Sequence, residues 1–126
     1  MSGFSTYLAN SVINDTLVTP YASRYLALFT LDPTDANLTA RELSAAWYAR
    51  KTTGAWASPT DGVTENSNTI QFDYVTGAQV AVNYWGIYDA LVAGNLLYSG
   101  AFEEGKTFNV DDFAVIGPGD IVVNLL

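Results

Sequence analysis

Apolar positions along this chain follow two periods, and the change between them comes once. Over residues 4–17, Phe4, Tyr7, Leu8, Val12 and Ile13 recur at helical spacing, with Ser2 or Gly3 available as a cap, and Thr19-Pro20 stops the pattern. This predicts one amphipathic N-terminal helix. It either lids the open end of a β-structure or docks on a partner subunit.

Beyond residue 24 the helical period disappears. RYLALFT at 24–30 is a compact apolar run between Pro20 and Asp32-Pro33, the pattern of a buried strand. In RELSAAWYARKTT at 41–53 the first half has helical propensity, while the second half, 47–53, alternates and ends in β-branched residues, which predicts a strand. Residues 54–68 lack periodicity and are expected to form a long loop that works or wraps something. TIQFDYV at 69–75 alternates, setting Ile70, Phe72 and Tyr74 on one face and Gln71 and Asp73 on the other.

The segment 80–102, VAVNYWGIYDALVAGNLLYSGAF, has the pattern of a central hairpin. Its strands are expected at 80–87 and 96–102, joined through Tyr88, Asp89 and the Ala93-Gly94-Asn95 turn. Glu103-Glu104-Gly105 then turns the chain out, and short strands follow at 107–110, 113–116 and 121–125. About eight short strands with regular turn signals predict an all-β fold, an antiparallel sandwich or barrel over 24–126, in a single domain of 126 residues. Ile70, Phe72, Tyr84, Trp85, Ile87 and Leu97 are the expected core. Phe4, Tyr7, Leu8, Trp56, Leu125 and Leu126 are the candidate partner contacts. Trp56 has two readings, an exposed anchor on the long loop or a ring tucked over its own core.

Composition narrows the chemistry. The chain has no histidine and no cysteine, which removes the commonest general base, thiolate metal sites, disulfides and every Ser-His or Cys-His arrangement. The net charge is -8, and the basic residues Arg24, Arg41, Arg50, Lys51 and Lys106 are scattered, so direct nucleic-acid binding is not expected. Only 14% of residues are charged and 49% are hydrophobic, which suggests that part of the surface is covered by another chain. Arg50 and Lys51 face either Glu42, in a surface ion pair, or a partner chain. No apolar run is long enough to cross a membrane, and MSGFSTYLAN has no basic and apolar leader pattern, so the product is expected to stay in the cytoplasm where it is made or to leave by a route other than a cleaved signal.

Asp73, Asp89, Glu103 and Glu104 are the only carboxylates open to a glycosidase-like pairing, and no spacing brings two of them together. Asp32, Asp35 and Asn37 lack the ladder of a calcium loop and fit an Asx-type turn. The GPGD turn has no lysine or helix behind it and so cannot cradle phosphate. The expectation is a protein without catalytic residues, metal or cofactor.

Several motifs resemble, in order, those of a family of short tailed-bacteriophage virion proteins. Residues 1–14 are similar to its S-x-Y-L-E-N-x-L-I-N opening, and LALFTLDPT at 26–34 to its L-A-L-F-T-x-D-P. Glu42-Leu43-Ser44 with Tyr48-Ala49-Arg50 resembles E-V-S-G-G-x-Y-A-R, with Ala45-Ala46 in place of the glycines. WGIYDA and GNLLYSGA resemble F-G-I-Y-D-A and G-G-N-L-L-Y-x-G-A-L, and KTFNV at 106–110 resembles K-T-V-N-x-G-D.

The resemblance implies a structural protein of the virion surface, made in the host cytoplasm. The family is often labelled tail fibre, yet the chain shows no coiled coil or collagen-like shaft. A head decoration (cement) protein held by the major capsid protein or other virion proteins, as a homo-oligomer with a trimer favoured, is therefore the expected role. The alternative is a tail-fibre or tail-tip module that binds a receptor or glycan through Trp56 and the 54–68 loop.

Overall fold

A computed structural model describes residues 3–126 of the chain. Its helix α1, Thr6–Ile13, starts at Ser5, whose hydroxyl accepts the Leu8 N–H at 3.1 Å. Ser5 therefore takes the capping role expected of Ser2 or Gly3, of which Ser2 lies outside the described residues. The coil continues as a wider turn over Asn14–Val18, where the Thr19 N–H reaches back to the Asn14 carbonyl. The face that it buries is the line Ala9, Ile13 and Leu17. Phe4, Tyr7 and Leu8 point the other way. Small Ala9 permits close approach to the β-structure, and that approach fixes the rotation of the helix.

Eight strands follow in antiparallel sheets. They are β1 Tyr25–Phe29, β2 Lys51–Thr52, β3 Val63–Glu65, β4 Ile70–Tyr74, β5 Val80–Tyr88, β6 Leu96–Phe108, β7 Phe113–Ile116 and β8 Val122–Asn124. One sheet has the order β2-β1-β5-β6, and two ribbons, β3-β8 and β4-β7, share its core. The main core joins Ile13 and Leu17 of the helix with Leu26, Leu28, Trp85, Ile87, Ile70, Phe72, Ile116 and Val123. On the opposite face of the sheet Ala27, Phe29 and Tyr88 form a smaller cluster. Burial on both faces explains why β1 reads as an unbroken apolar run.

The eight strands are not the expected eight. Residues 54–68 are no open loop: they carry β3, and bridges pair Trp56 with Asn66 and Thr60 with Val63. Residues 43–50 are irregular, and the strand expected over 47–53 is reduced to Lys51–Thr52. The turn expected at Glu103-Glu104-Gly105 is absent. Instead β6 runs on to Phe108, absorbing the strand expected at 107–110. The register shows why: Val82 faces Lys106 and Tyr84 faces Ala101, so β6 carries a wide bulge opposite Asn83. A Cβ at Gly105 would crowd the Asn83 side chain across the bulge. A smaller shift between Gln71 and Tyr74 turns Tyr74 outward, away from buried Ile70 and Phe72.

Asp120 ties this bulge to the turn before β8. Its Oδ2 accepts the Lys106 Nζ at 2.8 Å and the Gly117 N–H at 2.8 Å. Partial burial opposes the charge, but these two donors win and hold the carboxyl below its ordinary value of 3.8. A depressed folded pKa gives stability that is present above the ordinary value and lost as pH falls through the lowered one. Asp120→Asn is accordingly expected to lose stability at neutral pH while showing a smaller further loss below pH 3.8, measured by urea unfolding across that window. Trp85 is 3% exposed and lies under Gly100. Truncating Trp85 to alanine should cost about 3–5 kcal/mol in urea unfolding; wild-type stability would show that the ring is not a core element.

Candidate functional site

The densest polar arrangement in the protein surrounds Arg50, which is 8% exposed. Its Nε and Nη2 donate to the two oxygens of Glu42 at 3.0 and 2.9 Å. Nη1 donates to the carbonyls of Ala90 and Ala93 at 3.1 and 2.7 Å, and the guanidinium lies 3.8 Å above the Tyr88 ring centroid. Tyr48 donates its hydroxyl proton to Glu42 and accepts the Leu28 N–H at 3.1 Å. Tyr88 donates to the Asn37 Oδ1, and its ring stacks on Phe29.

Electrostatics follow from this packing. Burial works against the charge on Arg50, yet hydrogen bonding and attraction from Glu42 raise its pKa. Burial also raises the Tyr48 hydroxyl far above its ordinary value, with the hydrogen bond to Glu42 adding to it. Tyr88 moves up for the same first reason, burial, against the pull of Arg50. Both phenols are therefore neutral donors, and Glu42–Arg50 is the charged pair.

This network holds the hairpin tip. Asp89 accepts the Asn95 N–H at 2.7 Å and its Nδ2 at 2.9 Å across the loop. Those bonds keep the Asp89 carboxyl below its ordinary range. Gly94 takes φ +78°, and a Cβ there would meet the Ala90 Cβ at 2.6 Å. The fixed loop leaves Leu91 52% and Val92 80% exposed. A fixed apolar tip loses little conformational entropy when it is covered.

Of the expected core, Ile70, Phe72, Trp85 and Ile87 are buried. Tyr84 is half-buried against the smaller cluster, and Leu97 is half-buried beside a groove. Neither belongs to the interior proper. Among the candidate contacts, Tyr7 and Leu8 are exposed on α1, Tyr7 at 81%, and Phe4 is exposed just ahead of it. Leu126 is exposed and lies over Gly62, where a Cβ would approach the Leu126 Cγ to 2.7 Å. Leu125 is half-buried against the core.

Trp56 requires a correction. Its indole is 5% exposed and Nε1 donates to the Thr53 Oγ1 at 3.0 Å, so the tucked alternative applies and no ring face is offered to a partner or sugar. The bridge to Asn66 pulls it inward. The exposed aromatic pair is instead Tyr74 and Phe113, stacked with ring centroids 3.9 Å apart, with Val115 beside Phe113 along β7. Strict alternation hid Tyr74, since only the bulge turns it outward.

The carboxylates considered for catalysis are not brought into a pair by any contact seen. Asp73 lies 3.6 Å from Lys51, Asp89 braces its own loop, and Glu103 and Glu104 are exposed on β6. Asp32 accepts the Thr34 N–H at 2.9 Å, an Asx turn. Among the described residues no group of carboxylates is arranged to hold a metal ion, and no helix is long and apolar enough to cross a membrane.

Arg50→Met would leave the partly buried Glu42 carboxylate with Tyr48 as its remaining donor and should destabilise the chain by about 2–4 kcal/mol. Adding Glu42→Gln should restore part of that loss, and amide exchange over 89–95 should rise in both variants. Unchanged exchange there would show that Arg50 does not brace the tip.

Comparison with protein families matches residues 3–124 to the model of a family described as Podophage GP4 fiber I protein gp80. No curated protein matches the chain.

Proposed function

The matched span makes this chain a member of the Podophage GP4 fiber I protein gp80 family, a phage structural protein, and from that premise we propose that it is a fibre component of a short-tailed phage particle. It works by contact and carries out no reaction. The family's description is the observation that carries this reading. The residues that resemble the family's motifs support it, because Glu42, Tyr48, Arg50, Tyr88 and Asp89 meet in one bracing network. Such a network stabilises a shape, and a particle component needs a fixed shape.

The contact surfaces in this reading are the outer side of α1, with Tyr7 and Leu8, and the hairpin tip. Sister subunits, in a trimer by symmetry, or neighbouring virion proteins would cover them. Head decoration is the competing placement. Gold-labelled antibody against the chain should mark the tail region of purified particles at low copy number; labelling spread over the head would replace the fibre reading with decoration.

Tyr7→Ser combined with Leu8→Ser is expected to change stability by no more than about 0.5 kcal/mol, since both side chains are already exposed. The same variant should enter particles poorly when co-produced with the other virion proteins. Normal incorporation would remove α1 from the contact surface.

A further inference from the structure

The sheets leave two free edges beside each other. β6 pairs only with β5, and β8 only with β3, so each keeps a row of outward backbone donors and acceptors. Among the described residues no backbone hydrogen bond runs from β6 to β8. A groove lies between them. One part, about 560 Å³, is lined by Trp85, 96–101 and 122–125, and the next, about 450 Å³, by 101–104, Lys106, Gly119, Asp120 and Val122. Ala101 and Val122 belong to both parts, so the groove is continuous along β6. The Lys106–Asp120 bridge spans its far end.

We propose that this groove receives an extended segment of another polypeptide, added as a strand between β6 and β8, and that the segment carries lysine or arginine. The inference does not depend on where on the particle the chain sits. Three observations carry it. Two unpaired strand edges along one groove are satisfied best by another extended backbone, the chemistry of strand addition. Every residue of 96–100 is half-buried, on both faces of the strand, and Val122 is 49% exposed. An inserted strand would complete the burial of Leu97 and Val122. From Leu96 to Ala101, before the bulge, the edge runs about 17 Å, room for a strand of about five residues.

Charge identifies the partner's character. Asp35, Glu103 and Glu104 line the groove, and none of them has an ion-pair partner among the described residues. The one lysine there is held by Asp120. An acidic rim selects a basic segment, and the same edge of a second copy, with its own Glu103 and Glu104, would be repelled here.

The probe is a capped eight-residue peptide of alternating lysine and valine, titrated into the full chain, with a glutamate-valine peptide as control. Backbone amide exchange is the readout. The lysine peptide should slow exchange in both β6 and β8 by roughly tenfold or more, and the glutamate peptide should not. Glu103→Lys with Glu104→Lys should weaken binding by about tenfold while the melting temperature stays near wild type. Protection of neither edge, protection of one edge alone, or equal binding of the glutamate peptide would overturn the proposal. Self-association of the chain that protects the same amides would assign the groove to a second copy and would overturn it too.

Discussion

Arg50 carries its charge almost entirely out of water, and the geometry that makes this tolerable also ties the 42–50 segment to β5 and the hairpin tip. A buried guanidinium has five donors to satisfy. Here four contacts come from three places: both oxygens of Glu42, the Ala90 carbonyl and the Ala93 carbonyl. The Tyr88 ring covers one face. An irregular segment, a central strand and a hairpin tip are thereby held at fixed separations, although 43–50 form almost no regular hydrogen-bonded structure. Coulomb attraction alone would not do this, since burying two charges costs several kcal/mol per ion and the pair roughly breaks even. The contribution is to specificity, because another arrangement of the tip would leave the buried Nη1 donor without its two carbonyls.

That logic separates what could be seen in the sequence from what could not. Local pattern sufficed for the hairpin at β5 and β6, for the buried run of β1, and for the all-β class with one helix, because short-range alternation and turn residues decide them. Glu42 was a considered partner for Arg50, but the pair was expected on the surface. Nothing local signals that two hairpin-tip carbonyls about forty residues away will complete the guanidinium's shell. Burial of Trp56 had the same kind of cause, a bridge to Asn66 within a stretch without periodicity.

Bulges account for the rest of the differences. A bulge adds residues to one strand without ending the ladder, so a turn signal and a bulge signal look alike in sequence. Glu103-Glu104-Gly105 was such a case, and Tyr74 shows the same effect on a smaller scale. The helix was read from Phe4, Tyr7, Leu8, Val12 and Ile13, and of these only Ile13 is fully buried, in line with Ala9 and Leu17. Ala9 allows contact at a distance that Phe4, Tyr7 and Leu8 would forbid.

The bulge has a structural consequence beyond register. The ladder closes again at Val80 and Phe108, so the extra residues of β6 stay within the bulge, on a strand that lies alongside β8 without bonding to it. A long unpaired edge is a hazard in an isolated chain, which natural proteins blunt with charge and with bulges. Both devices are concentrated here: Glu103 and Glu104 lie within the bulge, and Asp120 draws Lys106 toward the neighbouring turn. Acidic side chains repel other copies of an acidic chain while leaving the edge open to a basic strand. The feature that guards this edge against self-association is therefore the one that would choose its partner.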